Sequence, residues 1–165
     1  MIRKVRLEDA RELAEIYNYY VLNSCVTFEE LAVSTEEMCG RIEATNSKFP
    51  WIVFEKNKEI LGYAYASAWK LRSAYKHTIE STIYLKMEAT KNGIGTLLYS
   101  ALIGQLSDLG FHAVIGGISL PNKASVALHE KLGFEKIAQF KEVGYKFKKW
   151  IDVGYWELTI NKNSI

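Results

Sequence analysis

From Ser81 to Leu109 the chain runs through an apolar strand, Ile83-Tyr84-Leu85, a glycine turn, Asn92-Gly93-Ile94-Gly95-Thr96, and a long amphipathic helix. No other stretch constrains the architecture as much. Gly93 and Gly95 lack a Cβ, which lets the backbone bend tightly and approach a ligand. The first N–H groups of a helix have no partner inside it and point at whatever anion arrives. Strand, turn and helix in this order make a cradle for phosphate or, with no ligand at all, a tight structural turn.

Composition narrows the setting. With 165 residues, 48% of them hydrophobic, and no proline-rich, serine-rich or charge-block divider, a single domain over 1–165 is expected. The net charge is only +2 and the lysines are scattered, which argues against a nucleic-acid partner, whose contact face would be clustered and basic. Cys25 and Cys39 have neither the number nor the spacing of a disulfide framework or zinc site, so both are read as reduced thiols and no metal is expected. No apolar run reaches signal or membrane-spanning length, and a soluble cytoplasmic protein without membrane contact is the expectation.

Periodicity predicts a mixed α/β sheet. Residues 2–6 alternate as a short strand, and 8–22 place Ala10, Leu13, Ile16, Tyr17, Tyr20 and Val21 on one helical stripe. Ser34 and Glu37 have capping-box spacing and open a second helix that runs through Asn46. Strands over 51–55 and 60–68 flank Lys56-Asn57-Lys58-Glu59 as a hairpin, and 78–86 alternates again. After the glycine turn, Leu97, Leu98, Ala101, Leu102, Leu106 and Leu109 repeat at helical period until Gly110. A strand over 113–118, a helix capped by Asn122 and stopped by Gly133, and strands over 136–145 and 151–160 complete the order βααβββαβαββ, with helices on both faces of the sheet.

The glycine turn fits few nucleotide sites. A dinucleotide fingerprint needs a third small residue where Leu98 stands and an acidic ribose-binding residue after the next strand; neither is present. The Gly-Lys-Ser/Thr of a nucleotide hydrolase is also missing. A pyrophosphate held by backbone amides without a metal, as in coenzyme A, remains. Here the chain resembles the GNAT superfamily of N-acetyltransferases, through Thr90-Lys91-Asn92-Gly93-Ile94-Gly95, then Leu120-Pro121-Asn122, then Leu128-His129-Glu130-Lys131-Leu132-Gly133-Phe134. It is further similar to the phosphinothricin acetyltransferase branch in Trp69-Lys70-Leu71-Arg72-Ser73-Ala74-Tyr75, Ile79-Glu80-Ser81-Thr82-Ile83-Tyr84, Val114 to Asn122, and Trp150-Ile151-Asp152-Val153-Gly154-Tyr155-Trp156. Thr90 departs from the usual Gln or Arg of the first signature position.

The resemblance implies a mostly antiparallel twisted sheet whose strands over 78–86 and 113–118 splay at the coenzyme site. It implies acetyl-CoA as cosubstrate, contacted by Ile83, Tyr84, Leu85, the amides of Lys91, Asn92, Gly93, Ile94, Gly95 and Thr96, and Asn122, with the Leu85 N–H polarising the thioester carbonyl. Asn122 serves equally as a helix cap, and the two roles compete for one amide. Glu80 is the implied general base, although a strand glutamate is by itself as readily an ion-paired group. His129 stands where many relatives carry a tyrosine that protonates the leaving thiolate; a lone helical histidine also serves as packing.

On the acceptor side the planar fork of Arg72 suits a carboxylate or phosphinate, with Phe28 and Tyr75 walling the pocket and Trp69 either there or in the core. The resemblance thus implies acetylation of the α-amino group of a small amino acid or analogue of the phosphinothricin, methionine sulfoximine or methionine sulfone type, by a homodimer. Trp150, Tyr155 and Trp156 fit a dimer interface or a core equally. A second reading is a related acetyltransferase for a protein N-terminus, polyamine or aminoglycoside, whose cationic acceptor Arg72 would repel. A third is a non-catalytic coenzyme A sensor, which has no need of Glu80 and His129 together.

Overall fold

Residues 1–160 are described by the computed structural model, and alternation and helical period resolve there into seven strands and four helices. In chain order these are β1 (Ile2–Lys4), α1 (Ala10–Asn23), α2 (Thr35–Asn46), β2 (Trp51–Lys56), β3 (Glu59–Ala68), β4 (Thr78–Leu85), α3 (Ile94–Asp108), β5 (Ala113–Leu120), α4 (Lys123–Lys131), β6 (Glu135–Lys146) and β7 (Lys149–Thr159). The final strand was expected to reach Ile160 and the first to reach Arg6; both stop short. Asp9 explains the second difference. Its carboxylate accepts the Arg6 N–H at 2.7 Å and the Arg3 guanidinium at 2.7 and 2.8 Å, pulling the chain into a short 3-10 turn before α1.

The sheet has the order β1-β2-β3-β4-β5-β7-β6. Its one parallel pair among the described residues is β4 with β5, registered Thr78 to Ala113, Ile79 to Val114 and Glu80 to Ile115. There the ladder stops, although β4 continues to Leu85 and β5 to Leu120. The two strands splay from Glu80 onward, as the resemblance implied. Every other pairing is antiparallel.

Helices cover both faces. On one, α1 and α2 lay Leu13, Ile16, Tyr17, Met38 and Ile42 against Trp51, Val53 and Tyr63. On the other, α3 and α4 pack over Val114, Ile118 and Trp156. The buried stripe of α3 is Ile94, Leu98, Tyr99, Leu102 and Leu106, whereas Leu97 and Leu109, expected on it, stand more than half exposed. Once the helix starts at Ile94, the i, i+4 series through 98, 102 and 106 defines its inner face, and Leu97 falls to the side. Each fully buried leucine in that series contributes about 1.5–3 kcal/mol.

Local caps and turns follow the chemistry of their residues. Ser34 Oγ accepts the Glu37 N–H at 3.1 Å, but the Glu37 carboxylate turns to Arg41 at 2.6 Å, so only half of the expected capping box forms. Asn57-Lys58 and Phe147-Lys148 make two-residue hairpin turns with positive φ at both positions, 54° and 64° in the first and 49° and 60° in the second.

Candidate active site

The parting of β4 from β5 exposes backbone. Lys86 N–H donates to Leu61 C=O at 2.9 Å, and strand alternation then turns the amides of Tyr84, Thr82 and Glu80 toward β3, and those of Leu85, Ile83 and Ser81 toward β5. Past Glu80, β5 supplies no partner, so the amides of Ile83 and Leu85 face an open strand edge; Ile83 lines the cleft that opens there, and Leu85 lies just beyond its lining. Tyr20 donates its hydroxyl to the Leu85 carbonyl at 2.6 Å, which leaves the Leu85 N–H on that edge. Tyr84, also expected at the coenzyme, borders the cleft while its backbone is engaged with Tyr63 in the β3 ladder.

The glycine turn closes one end of this edge. Gly93 has φ +78°, the left-handed conformation that favours glycine, and Lys91 precedes it at φ 63°. Leu97 N–H returns to Gly93 C=O at 3.1 Å, so the amides of Ile94, Gly95 and Thr96 precede the first helical hydrogen bond. A Cβ on Gly95 would press on Leu85 Cδ1 at 3.2 Å, so the residue lets the helix sit close on β4. Asn92 Nδ2 donates to Glu88 C=O at 3.3 Å, and the Thr90 hydroxyl to Met87 C=O at 2.7 Å, so Thr90 is spent inside the turn. Lys131 Nζ lies 3.4 Å from Thr96 Oγ1, adding a cation that spacing alone did not flag.

The cleft, of about 200 Å³, runs between the parted strands. Glu80 and His129 reach it from opposite faces of the sheet. Glu80 shares its face with Thr82 and Tyr84, the side covered by α1. Burial pushes its carboxyl above the ordinary range, and the charge of Lys70 draws it part of the way back. Among the described residues no cation lies within ion-pair distance of Glu80, so it is not the paired strand glutamate that its sequence allowed.

His129 comes from α4 and is 4% exposed. Its Nδ1 donates to the Ser125 carbonyl at 2.8 Å, which fixes the tautomer, and Nε2 faces the Tyr99 hydroxyl at 3.0 Å. Tyr99 in turn meets Ser81 Oγ at 2.6 Å. Burial holds the imidazole below its ordinary pKa, so the ring is neutral near pH 7. In that state its one N–H is engaged by Ser125, and Nε2 is an acceptor. Direct donation to a thiolate, the role implied for His129, therefore requires the ring first to gain a proton. Gly116 packs so closely on the ring that a Cβ there would lie 2.5 Å from Nε2.

Asn122 does cap α4, accepting the Ser125 N–H at 3.1 Å through Oδ1, yet it also lines the cleft. Its amide nitrogen keeps two donors for a ligand, so the roles need not compete. On the acceptor side Val26 and Thr27 line the cleft, while the Phe28 ring lies against Gly144 instead. Arg72 and Tyr75 stand exposed beside the 3-10 turn Ser73–Tyr75, outside the cleft lining, and Trp69 packs edge-on to Tyr155 at 5.5 Å. Ser81, Tyr99 and Ser125 were not anticipated. The pair Gly116-Gly117 inside a strand was the available signal, because glycine there marks a close approach by another group.

No group of three metal-ligating side chains occurs among the described residues. No helix among them is long and apolar enough to cross a membrane.

A sheet parted beside a carboxylate, with unpartnered strand amides and a helix N-terminus at the gap, can hold an anionic, carbonyl-bearing ligand and accept a proton beside it. Residues 2–154 match the acetyltransferase (GNAT) domain family, and the chain belongs to it. It is 36% identical over 156 residues to the phosphinothricin N-acetyltransferase of Streptomyces viridochromogenes, covering 94% of this chain and 85% of that one. To the L-methionine sulfoximine/L-methionine sulfone acetyltransferase of Salmonella typhimurium it is 31% identical, covering 99% of this chain and 96% of the relative. The crystal structure of a GNAT superfamily phosphinothricin acetyltransferase from Sinorhizobium meliloti, in complex with acetyl-CoA, superposes with a TM-score of 0.93 at 36% identity, covering 97% and 88% of the two chains. The chain is thus an acyltransferase.

Proposed function

We propose that the chain transfers acetyl from acetyl-CoA to the α-amino group of a small amino acid or analogue of the phosphinothricin, methionine sulfoximine or methionine sulfone type, with Glu80 as general base. The observation that carries this reading is Glu80 itself: a partly buried carboxylate with no cation at ion-pair distance among the described residues, at the residue where β4 and β5 part. A raised pKa brings a carboxylate closer to the operating pH, where it accepts a proton from an ammonium group most effectively. The acceptor amine must lose that proton before its lone pair can attack the thioester carbonyl.

The donor side fits acetyl-CoA. The amides of Ile94, Gly95 and Thr96, at the positive end of α3, suit the pyrophosphate, with Lys131 beside them. Ile83 and Asn122 line the cleft as hydrogen-bonding groups for the pantetheine arm, and the Leu85 N–H, on the same open edge of β4, is the donor for the thioester oxygen. When bound, acetyl-CoA supplies the activated acyl group. The acceptor wall is Val26 and Thr27, and Arg72, on the exposed loop after β3, is the partner for the acidic head of the acceptor.

Two further readings accompany this one. Phe140, Tyr145, Phe147 and Trp150 of the β6–β7 hairpin are each more than half exposed, which supports a homodimer. The free thiols Cys25 and Cys39 support a cytoplasmic setting.

Thiol release from acetyl-CoA, followed across natural amino acids and their phosphinate, sulfoximine and sulfone analogues, tests the assignment. Turnover of these analogues with tetrahedral, oxygen-bearing heads is expected, and Arg72→Ala should raise their KM, most for the anionic phosphinate, while leaving acetyl-CoA affinity unchanged. Release with none of them would overturn it, and improved turnover of polyamines by Arg72→Ala would favour a cationic acceptor.

A further inference from the structure

Lys146 is the last residue of β6, directly before the hairpin turn Phe147-Lys148, where a lysine would ordinarily extend into water, yet it is 2% exposed. Fully buried lysines are rare unless paired. No carboxylate among the described residues comes within ion-pair distance of it; its Nζ donates instead to the Thr27 carbonyl, 119 residues away in sequence, at 2.8 Å. The Phe147 ring lies 5.1 Å from the same ammonium. Burial holds the ammonium below its ordinary pKa, opposed by the more distant charges around Cys25, Glu30 and Glu29.

The neighbouring inward position of β6 repeats the contact. Gly144 is buried under the Phe28 ring so closely that no Cβ fits between them. Two successive inward positions of one strand, 144 and 146, thus grip two successive loop residues, 28 and 27. From the other side the Thr27 hydroxyl meets the Tyr17 hydroxyl of α1 at 2.7 Å. Thr27 and its neighbour Val26 line the same cleft as Glu80.

We infer that Lys146 is a positioning residue: with Gly144 it clamps the loop between α1 and α2 to the β6–β7 hairpin, fixing Val26 and Thr27 as the acceptor wall of the cleft, an inference that rests on the acceptor site proposed above. The hydrogen bond is charge-assisted and buried, so an apolar side chain of similar length leaves the Thr27 carbonyl without its partner. The glycine turn, Ile83 and Asn122 of the donor site make no contact with Lys146 or Gly144, and β4 reaches the clamped loop through the Tyr84 side chain, which hydrogen-bonds Thr27.

The test compares Lys146→Met, Lys146→Arg and Gly144→Ala with the parent by amide hydrogen exchange over residues 26–29, acceptor KM, and acetyl-CoA affinity by calorimetry. Lys146→Met is expected to speed exchange in that segment and to raise acceptor KM by about tenfold or more, since small misplacements of a positioning group are costly. Acetyl-CoA affinity should be unchanged, and Lys146→Arg should recover part of the loss. Where Lys146→Met fails to fold, Gly144→Ala, whose Cβ would displace Phe28, carries the same expectation from the other half of the clamp. Unchanged exchange in a folded variant, faster exchange with unchanged acceptor KM, or acetyl-CoA affinity falling in step with acceptor KM would each overturn the inference. If the parent acetylates no acceptor, the proposed function fails by itself, and exchange over residues 26–29 still decides whether the clamp exists.

Discussion

Gly116→Ala probes the contact on which His129 depends. A Cβ at this position would lie 2.5 Å from Nε2 and 2.7 Å from Cδ2. Ordinary non-bonded separations are about 3.5–4.0 Å, so the imidazole must retreat by about 1 Å. Retreat is obstructed by the rings of Tyr99 and Phe134, with centroids 5.1 and 5.0 Å away, and Nδ1 is tethered to Ser125 at 2.8 Å. Overpacking of this kind costs about 1–3 kcal/mol. For a chain of this size each kcal/mol lowers Tm by about 2–4 °C, which gives an expected loss of about 2–12 °C by calorimetry. If Nε2 works on the reaction through Tyr99, a displacement of about 1 Å should also lower kcat by about 100-fold. Acetyl-CoA affinity serves as the control for a generally damaged fold. A Tm within about 1 °C of the parent would refute the packing argument. A lowered Tm with unaltered kcat would refute the role in turnover and leave His129 as a packing group.

Three other substitutions address separate parts of the cleft. Glu80→Gln should lower kcat by about 10²–10⁴-fold with acetyl-CoA still bound, measured by thiol release. Because burial raises the folded-state pKa of Glu80, its favourable contribution is complete below the unfolded carboxyl's titration and is lost as pH rises through the folded value. Glu80→Gln should therefore gain stability over the parent on going from acid to neutral pH in urea melts; no such gain would show that the carboxylate is not penalised. Gly93→Ala meets no protein atom within 4 Å but must hold φ +78°, a strain of about 1–2 kcal/mol. It should weaken acetyl-CoA binding in calorimetry, and unchanged affinity would remove the turn from the donor site. Asn122→Ala should lose the helix cap, about 0.5–2 kcal/mol, together with donor affinity, whereas Asn122→Asp should keep the cap and lose only the affinity. Equal affinity in all three proteins would count against the side chain as a ligand.

What the sequence by itself determined lies in short-range chemistry. The left-handed Gly93, the Ser34 and Asn122 caps, the hairpin turns and the helical stripe of α1 each depend on residues within a few positions of one another, where dihedral preference and capping act. Those local units, strung in order, were enough to read the mixed α/β fold class, whereas the expected roles of the glycine turn, Glu80 and His129 came from the family resemblance and not from local chemistry. The stripe of α3 was read less well, because Leu97 and Leu98 are equally apolar and only packing against β2, β3 and β4 selects the inner face.

Tertiary structure decided the rest. The end of the β4–β5 ladder at Glu80 leaves the Ile83 and Leu85 amides without a strand partner, and alternation in the β3 pairing removes Tyr84 from that set. Ser81, Tyr99 and His129 form one hydrogen-bonded line only because three separate elements converge on it. The wall of the cleft is held by a lysine from the opposite end of the chain. Such pairings span distances over which sequence carries no periodic signal, so they follow from how the layers pack and not from local preference.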